Sequence, residues 1–333
     1  MGLGRFLLKR TLHGLLVVWG VVTVVFFLRY ASGGSVITYM VPLDASQELR
    51  REIAHQLGLD QPIYVQYGEY LWNLAHLDMG HSYISGTSVA SQVFYRLPAS
   101  IELAVAATLV AVVLSIPLGV ISATNRHQPS DVAATTFSLV GISTPNFWLG
   151  IMLVLVFAVW LGLVPPSGVA RLQGQRVLFV DAVAHLLRGE PRWLLAWLSH
   201  IVLPALTLGT YFTALVTRLT RSGMIEELGK PYVKALRAKG LPEAMVRYRH
   251  ALKNTLIPVI TVLGLQLGLL IGGAVITEAV FDWPGLGSLL VTHVFRRDWM
   301  MVQGILVVIG TGFVVVNVAV DILHAYIDPE VTT

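Results

Sequence analysis

The sequence predicts an all-α, polytopic membrane protein with six transmembrane helices and an external subdomain between the first two. Only 13% of its 333 residues are charged and 55% are hydrophobic, whereas soluble domains carry about 25% charged residues. Six apolar stretches approach the length of about 20 residues that a membrane-crossing helix needs. They are Leu12–Leu28, Leu103–Ala123, Val132–Val164, Ile201–Thr217, Thr255–Thr277 and Trp299–Val320.

The first and third stretches need separate interpretation. The first follows a basic N-terminus, as a signal peptide does, but no clear small-residue cleavage site comes after it. Because further spans follow, we expect an uncleaved first helix. The third is too long for one straight helix and contains Pro145. Proline removes a backbone donor, so this residue predicts a kink, with two re-entrant halves as the alternative.

Basic residues predict the orientation of the chain. Arg5, Lys9 and Arg10 precede the first span, and nine Lys or Arg against three Glu lie between spans four and five. Both segments are therefore expected in the cytoplasm. The predicted parts are a cytoplasmic N-terminus with the first helix (1–30), an external subdomain (31–98), a five-helix core (99–326) with a cytoplasmic loop (221–254), and a short cytoplasmic tail (327–333).

Within the external subdomain, one short helix has start and stop signals. Asp44 can cap it, Leu49, Ile53 and Leu57 form an apolar stripe, and Gly58 is placed to end it. Nothing in this region has a catalytic pattern.

The cytoplasmic loop predicts two helices joined by a glycine turn. Tyr232–Lys239 forms the first helix, Gly240 ends it, and Pro242 opens the second at its first turn. Three interpretations are open: a loop that only satisfies the positive-inside rule, a docking element for a cytoplasmic partner, or a DNA-reading helix-turn-helix. The loop is tethered at both ends to membrane spans, which disfavours the DNA-reading interpretation, because a recognition helix needs free access to the major groove of DNA.

Several small or polar groups lie inside or beside the spans. Small residues at intervals of four in the fifth span predict close helix packing, against a helix of this chain or of a second subunit; they are Gly264, Gly268 and Gly272. Gln266 is central in that span and either faces a polar pathway or bonds to another helix. Glu278 and Asp282 are expected at the outer mouth of a pathway.

Two other acids have simpler expected roles. Glu102 is expected in the first turn of the second span, where the helix dipole favours a carboxylate. Asp321, near the cytoplasmic end of the last span, is expected to pair with a basic residue of the loop.

The sequence carries no pattern of an enzyme. It has no Cys, no phosphate-binding loop, no His-Glu-x-x-His and no Gly-x-Ser-x-Gly. Its ten His are scattered, so no catalytic or metal-binding residue is predicted. A membrane enzyme would need paired catalytic residues, and an ion-gradient-driven secondary transporter would be expected to show inverted repeats.

The loop resembles that of a known family. Tyr232-Val233, Arg237-Ala238-Lys239-Gly240-Leu241 and Arg249-His250-Ala251-Leu252 are similar to the loop motif of binding-protein-dependent ABC importer permeases, within the dipeptide, oligopeptide and nickel subfamily. Further similar stretches follow in order along residues 5–330. They include Leu57–Asp60, Leu97–Leu103, Pro145–Gly150, Leu203–Thr207, Gly264–Gly268, Phe281–Gly287 and Val316–Pro329.

This resemblance implies a type I permease fold in a bacterial or archaeal inner membrane, with both termini cytoplasmic. The chain would form half of a pathway for di- or oligopeptides delivered by an external solute-binding protein; nickel or another small solute is the alternative. Implied partners are a second permease, two ATPase subunits and lipid, with no nucleic acid. ATP and Mg would be bound by the ATPase subunits, and no cofactor by this chain.

The resemblance also implies that the helix before Gly240 couples the channel to the ATPase. The residues so assigned are Ala235, Arg237, Ala238, Lys239, Gly240 and Leu241. One stretch departs from the family pattern. Lys234-Ala235-Leu236 stands where a Glu-Ala-Ala sequence is expected, so no salt bridge from that glutamate is implied; docking by shape and by Arg237 or Lys239 is expected instead.

Overall fold

The computed structural model describes residues 3–31, 46–56, 58–272 and 274–327. Within these ranges, five helices are long and apolar enough to cross a membrane, and a bent pair of helices makes a sixth if the pair forms one span. The five unbroken helices match the predicted first, second, fourth, fifth and sixth spans in order, and the bent pair covers the predicted third. The five unbroken spans are Leu8–Tyr30, Val89–Thr124, Arg192–Gly229, Met245–Ile271 and Trp299–Leu323.

Helix α1 (Leu3–Ala31) is followed by α2 (Gln47–Gln56) and α3 (Ile63–Ala75). The predicted cap Asp44 and the stripe residue Leu57 lie outside the described residues. At the start of α2 the hydroxyl of Ser46 accepts a hydrogen bond from the backbone N–H of Leu49 at 3.2 Å. Gly58 lies just beyond the helix with φ +64°, as its stop signal predicted.

Helix α4 (Val89–Thr124) begins well before the predicted second span. Ser88 caps it by accepting a hydrogen bond from the N–H of Ser91 at 3.4 Å. The expectation that Glu102 occupies a first turn is therefore wrong. Its carboxylate instead accepts hydrogen bonds from the Phe179 N–H at 2.7 Å and the Trp197 indole N–H at 3.2 Å.

The third span is broken at the predicted proline. Helix α5 (Pro129–Ser143) and helix α6 (Asn146–Leu153), which continues as a π-helical segment (Val154–Trp160), meet at an angle of 106°. The break is far sharper than a proline kink in a continuous helix. Pro145 sits in an extended conformation before the first residue of α6, where its missing N–H leaves no helical bond unmade.

A short hairpin and the longest helix come next. Strands β1 (Arg171–Leu172) and β2 (Gln175–Arg176) pair antiparallel, followed by α7 (Phe179–Leu187) and α8 (Arg192–Gly229). Helix α9 (Pro231–Ala238) lies at the opposite end of α8 from the hairpin.

The fifth span begins and ends earlier in the sequence than predicted. It consists of a π-helical segment (Met245–Ala251) that continues into α10 (Leu252–Ile271), and it ends before Thr277. Two glycines follow, and glycine has poor helix propensity. Three helices complete the described chain: α11 (Val275–Val280), α12 (Leu286–Phe295) and α13 (Trp299–Ile327).

Helices α4 and α8 form the most extensive helix pair among the described elements. Small residues allow their backbones to approach closely. A Cβ atom added at Gly209 would lie 2.7 Å from Val110 Cγ1 and 2.9 Å from the Ala107 carbonyl oxygen. One added at Gly119 would lie 2.8 Å from Thr220 Cγ2. Such contacts support helix association in lipid, where burial of apolar side chains gives little driving force.

The glycine row of the fifth span faces α13 of the same chain. A Cβ atom at Gly264 would lie 2.7 Å from Val320 Cγ1, and one at Gly268 would lie 2.9 Å from Phe313 Cδ2. Gly272 is the residue after the helix and lies near Ile309. Within the described chain, the row therefore packs against an internal helix.

The first and last spans are joined by an ion pair. Arg10 of α1 bonds Asp321 of α13. The expectation that Asp321 pairs with the basic loop is therefore wrong, because α1 packs beside α13 and supplies the arginine. The pair places the beginning of the first span and the end of the last at the same membrane face.

A buried carboxylate joins α5 to the far end of α8. Asp131, 4% exposed, receives the Arg221 guanidinium through bonds of 2.7 and 2.9 Å. The Ser122 hydroxyl and the His127 N–H also donate to it, at 2.5 and 2.9 Å. With every oxygen bonded, the carboxylate holds three helix ends together. Removal of one partner of such a buried pair typically costs about 3–5 kcal/mol.

The close contact at Gly264 predicts a stability effect. Gly264→Ala places a methyl group against Val320, and overpacking of this kind costs about 1–3 kcal/mol. We expect the purified protein in detergent to unfold at a clearly lower temperature, measured by intrinsic tryptophan fluorescence.

Gly20→Ala is the matched control, because no atom lies within 4 Å of a Cβ added there. This change should leave the unfolding temperature unchanged or raise it, since alanine favours a helix. Equal shifts in the two variants would contradict the packing described for Gly264.

Candidate functional site

The loop between α8 and α10 forms an elbow, as predicted. Pro231 occupies the first turn of α9, where its missing N–H is not needed. Gly240 follows the helix with φ +77°, and its N–H donates to the Arg237 carbonyl at 2.9 Å. The chain then turns back at Pro242 into the helix that leads to α10. The positive φ explains why glycine stands at this position.

The elbow presents a surface of small and basic side chains. The Val233 side chain is fully buried, so this side of α9 packs against the rest of the protein. Leu241 is half-buried. The exposed residues are Lys234, Ala235, Arg237, Ala238, Lys239 and Gly240. No atom lies within 4 Å of a Cβ added at Gly240. The backbone at the turn is therefore open to another surface.

Arg237 is paired within the elbow. Its guanidinium donates two hydrogen bonds to the carboxylate of Glu243, at 3.1 and 2.8 Å. Arg247 donates to the same carboxylate at 3.2 Å. The hydrogen bond from Arg237 lowers the pKa of Glu243. An exposed pair contributes about 0–1 kcal/mol, so its main effect is to fix the angle between the two arms.

Glu227 anchors the elbow to the membrane helices. It lies at the end of α8, and its carboxylate accepts from the Tyr232 hydroxyl at 2.7 Å and the Asn254 amide at 3.2 Å. Lys230 also bonds it. The three donors come from the start of α9, the start of α10 and the connection between α8 and α9. Glu227 therefore connects α9 to two membrane helices, α8 and α10.

From the sequence alone, Glu227 is recognisable only as one acid in a basic loop. Its role depends on Asn254, which is distant in sequence. The same holds for Asp131, whose partner Arg221 was counted only as part of the positive charge. Each is an acid at a helix end, and for Glu227 the adjoining basic loop was an additional signal.

Glu278, beyond the end of α10, is enclosed by this chain and is 1% exposed. It accepts hydrogen bonds from the Ser100 hydroxyl at 3.1 Å and the Ser288 N–H at 2.7 Å. Ser100 in turn accepts from the Leu286 N–H at 2.8 Å. In this conformation the carboxylate holds the turn between α11 and α12 against α4. Asp282, at the tip of that turn, is exposed and has φ +48°.

Gln266 is half-buried on α10. Its side chain makes no hydrogen bond to any residue that the structure describes. An interhelical bond was one of two expected roles for this amide, and no such bond is found in the described ranges. The assignment of Gln266, Glu278 and Asp282 to a translocation pathway stays a prediction.

Comparisons with known proteins match the chain nearly end to end. Residues 3–104 match the N-terminal part, and residues 115–333 the main part, of the binding-protein-dependent transport system inner membrane component family. The chain is 36% identical to the oligopeptide transport system permease protein AppB of Bacillus subtilis (strain 168), over 99% of each chain. It is 39% identical to the di/tripeptide transport system permease protein DppB of Pseudomonas aeruginosa (strain UCBPP-PA14), over 94% of each.

A relative of a different printed specificity is equally similar. The probable D,D-dipeptide transport system permease protein DdpB of Escherichia coli (strain K12) is 39% identical over 98% of this chain and 97% of the relative. A chain of the inward-facing MetNI methionine ABC transporter shares the fold, with a TM-score of 0.53 and 16% identity over 71% of this chain and 96% of that one. The chain belongs to the binding-protein-dependent transport system inner membrane components, and is a multi-pass inner-membrane permease that works with an ATPase and a solute-binding protein.

Proposed function

We propose that this chain is one of two permease subunits of an ATP-driven peptide importer. It forms half of the translocation pathway, beside a second homologous permease and above two ATPase subunits. Di- or oligopeptides arrive from an external solute-binding protein. ATP and Mg are bound by the ATPase subunits. Both termini and the elbow between α8 and α10 lie in the cytoplasm, in agreement with the basic residues there.

The observation that carries the proposal is the exposed elbow anchored by Glu227. Ala235, Ala238 and Gly240 leave room for a partner surface to approach the α9 backbone. Glu227, at the end of α8, links the start of α9 to the start of α10. Closure of an ATPase pair around α9 would therefore move the membrane helices. Contact with the ATPase is by shape and by Lys239, since Arg237 bonds Glu243.

We assign Gln266 to the pathway, because a half-buried amide without a partner among the described side chains needs one from water, solute or the second permease. Asp282 is exposed at the outer turn and is available to the solute or its receptor. Glu278 acts through this turn, whose position it fixes by its bonds to Ser100 and Ser288.

Peptide is proposed as the solute because the full-length relatives are named for oligopeptide, dipeptide and di/tripeptide transport. Nickel or another small solute carried by the same architecture is the alternative. To decide between peptide and these alternatives, the uptake of a labelled peptide is measured in the presence of unlabelled di-, tri- and oligopeptides, which should compete with it.

A substitution at the elbow tests the coupling. Gly240→Val forces a branched side chain onto a left-handed backbone, at a strain of about 1–3 kcal/mol, and fills the open face of the turn. We expect peptide uptake to fall by more than about tenfold, equivalent to about 1.4 kcal/mol of lost coupling. Membrane insertion should be unchanged. Uptake in cells and the amount of the chain in membranes are the two measurements.

Gly189→Val is the matched control. Gly189 also follows a helix end, has φ +82°, and has no atom within 4 Å of an added Cβ. Its backbone strain is equivalent, but it lies at the end of α7, away from α9. Normal uptake by Gly240→Val, or equal losses in both variants, would remove the coupling assignment.

The composition of the assembly distinguishes transporter classes. Purification of the tagged chain in mild detergent should retain a second permease and an ATPase, identified by mass spectrometry. Ala238→Trp, on the exposed face of α9, should cause loss of the ATPase but not of the second permease. A chain that transports by itself in liposomes, driven by an ion gradient and unaffected by ATP, would favour a secondary transporter.

A further inference from the structure

The outer hairpin brings two arginines together. Arg171 of β1 is directly opposite Arg176 of β2. Side chains of opposite residues in an antiparallel pair project to the same face, and like charges in such a pair are destabilising. Neither arginine forms an ion pair with any side chain in the described ranges. The hairpin therefore carries a repulsion that an anion would relieve.

Arg176 is also partly enclosed, and Glu102 attracts its charge without accepting a hydrogen bond from it. Its Nε and Nη2 atoms are buried, and no described group accepts a hydrogen bond from them. Burial lowers the pKa of Arg176, and the negative charge of Glu102 raises it. The positive charges of Arg96 and Arg171 lower this pKa further. The Glu102 carboxylate bonds the Phe179 N–H and the Trp197 indole instead of Arg176. Enclosing an unpaired charge is costly.

The position of a third arginine, Arg96, indicates how deep this arginine cluster (Arg96, Arg171 and Arg176) lies in the membrane. Arg96 lies on α4, which ends at Thr124. At 1.5 Å per residue the helix rises about 42 Å between these residues. A bilayer including its headgroup regions is about 40–45 Å thick. When Thr124 lies at one headgroup region, Arg96 lies at the other.

An apolar groove of about 670 Å³ begins beside the cluster. Two of its lining residues, Leu178 and Phe179, follow Arg176 almost directly in the chain, and Glu102 lines it as well. From there the groove follows α4 toward the membrane interior along Ile101 and Val105. A charged headgroup-level cluster is thus continuous with an apolar channel on the helix surface.

We propose that Arg96, Arg171 and Arg176, with the adjoining groove on α4, bind an anionic phospholipid of the leaflet on the hairpin side. Its phosphate lies against the guanidinium groups, which match phosphate oxygens in geometry and charge. One acyl chain lies along Ile101 and Val105. The lipid offsets the repulsion within the hairpin and holds β1 and β2 against α4.

The groove distinguishes this ligand from other anions. A free phosphate would use the arginines but leave the apolar channel unexplained. An acidic surface of the solute receptor would need freely accessible side chains, and Arg96 and Arg176 are half-buried. A molecule with an anionic head and an apolar tail fits both parts.

The test uses the purified, delipidated transporter complex in detergent. Native mass spectrometry measures binding of dioctanoyl phosphatidylglycerol, with dioctanoylglycerol and inorganic phosphate as separate probes. We expect phosphatidylglycerol to bind best, and Arg176→Gln to weaken its apparent affinity by about tenfold through loss of a charge-assisted contact. Arg188→Gln, an exposed arginine on the same side at the end of α7, is the matched control and should bind normally.

Two further variants test the arginines and the groove separately. Arg171→Gln changes an exposed residue and should also weaken binding if Arg176→Gln does not fold. Val105→Trp fills the groove without changing charge, and should weaken phosphatidylglycerol but not inorganic phosphate. Equal affinity of wild type and both arginine variants would overturn the proposal. So would phosphate binding as strong as that of the lipid, or loss of receptor docking in the arginine variants with lipid binding intact.

Discussion

Close approach of helix backbones at small residues is the constraint on which this structure depends. In lipid, apolar side chains gain little by contacting each other instead of acyl chains, so helices associate where their surfaces fit closely. Gly119 and Gly209 provide this fit between α4 and α8, and Gly264 provides it between α10 and α13. The polar anchors at Asp131 and Glu227 then fix the ends of helices that already touch. Together these contacts connect the elbow to the packed membrane helices.

Features determined by local sequence could be predicted. The apolar stretches located the five unbroken spans and the bent helix pair, because length and hydropathy alone decide whether a segment can cross the membrane. The elbow was predicted in detail, since Gly240 and Pro242 act through their own backbone preferences. The family followed from short motifs in a fixed order, and the matches over residues 3–104 and 115–333 confirm it.

Features that depend on distant partners could not be predicted. Helix α4 begins at Val89 because Ser88 caps it, although polar residues follow that suggested a loop. Glu102 bonds groups that arrive from α7 and α8, and Asp321 bonds Arg10 across the whole chain length. The choice between internal and external packing for Gly264 likewise needed the position of α13. No local pattern contains this information.

The 106° bend between α5 and α6 has a consequence for the unassembled chain. About 21 Å of helix separates Pro129 from Ser143, less than the roughly 30 Å hydrocarbon thickness, so the non-helical residues around Pro145 fall within it. Irregular backbone at that depth is tolerated only beside protein or water, yet Ser143 and Pro145 are exposed in this chain. An orphan copy, synthesised in excess of its assembly, is therefore expected to be recognised and degraded by membrane quality-control proteases.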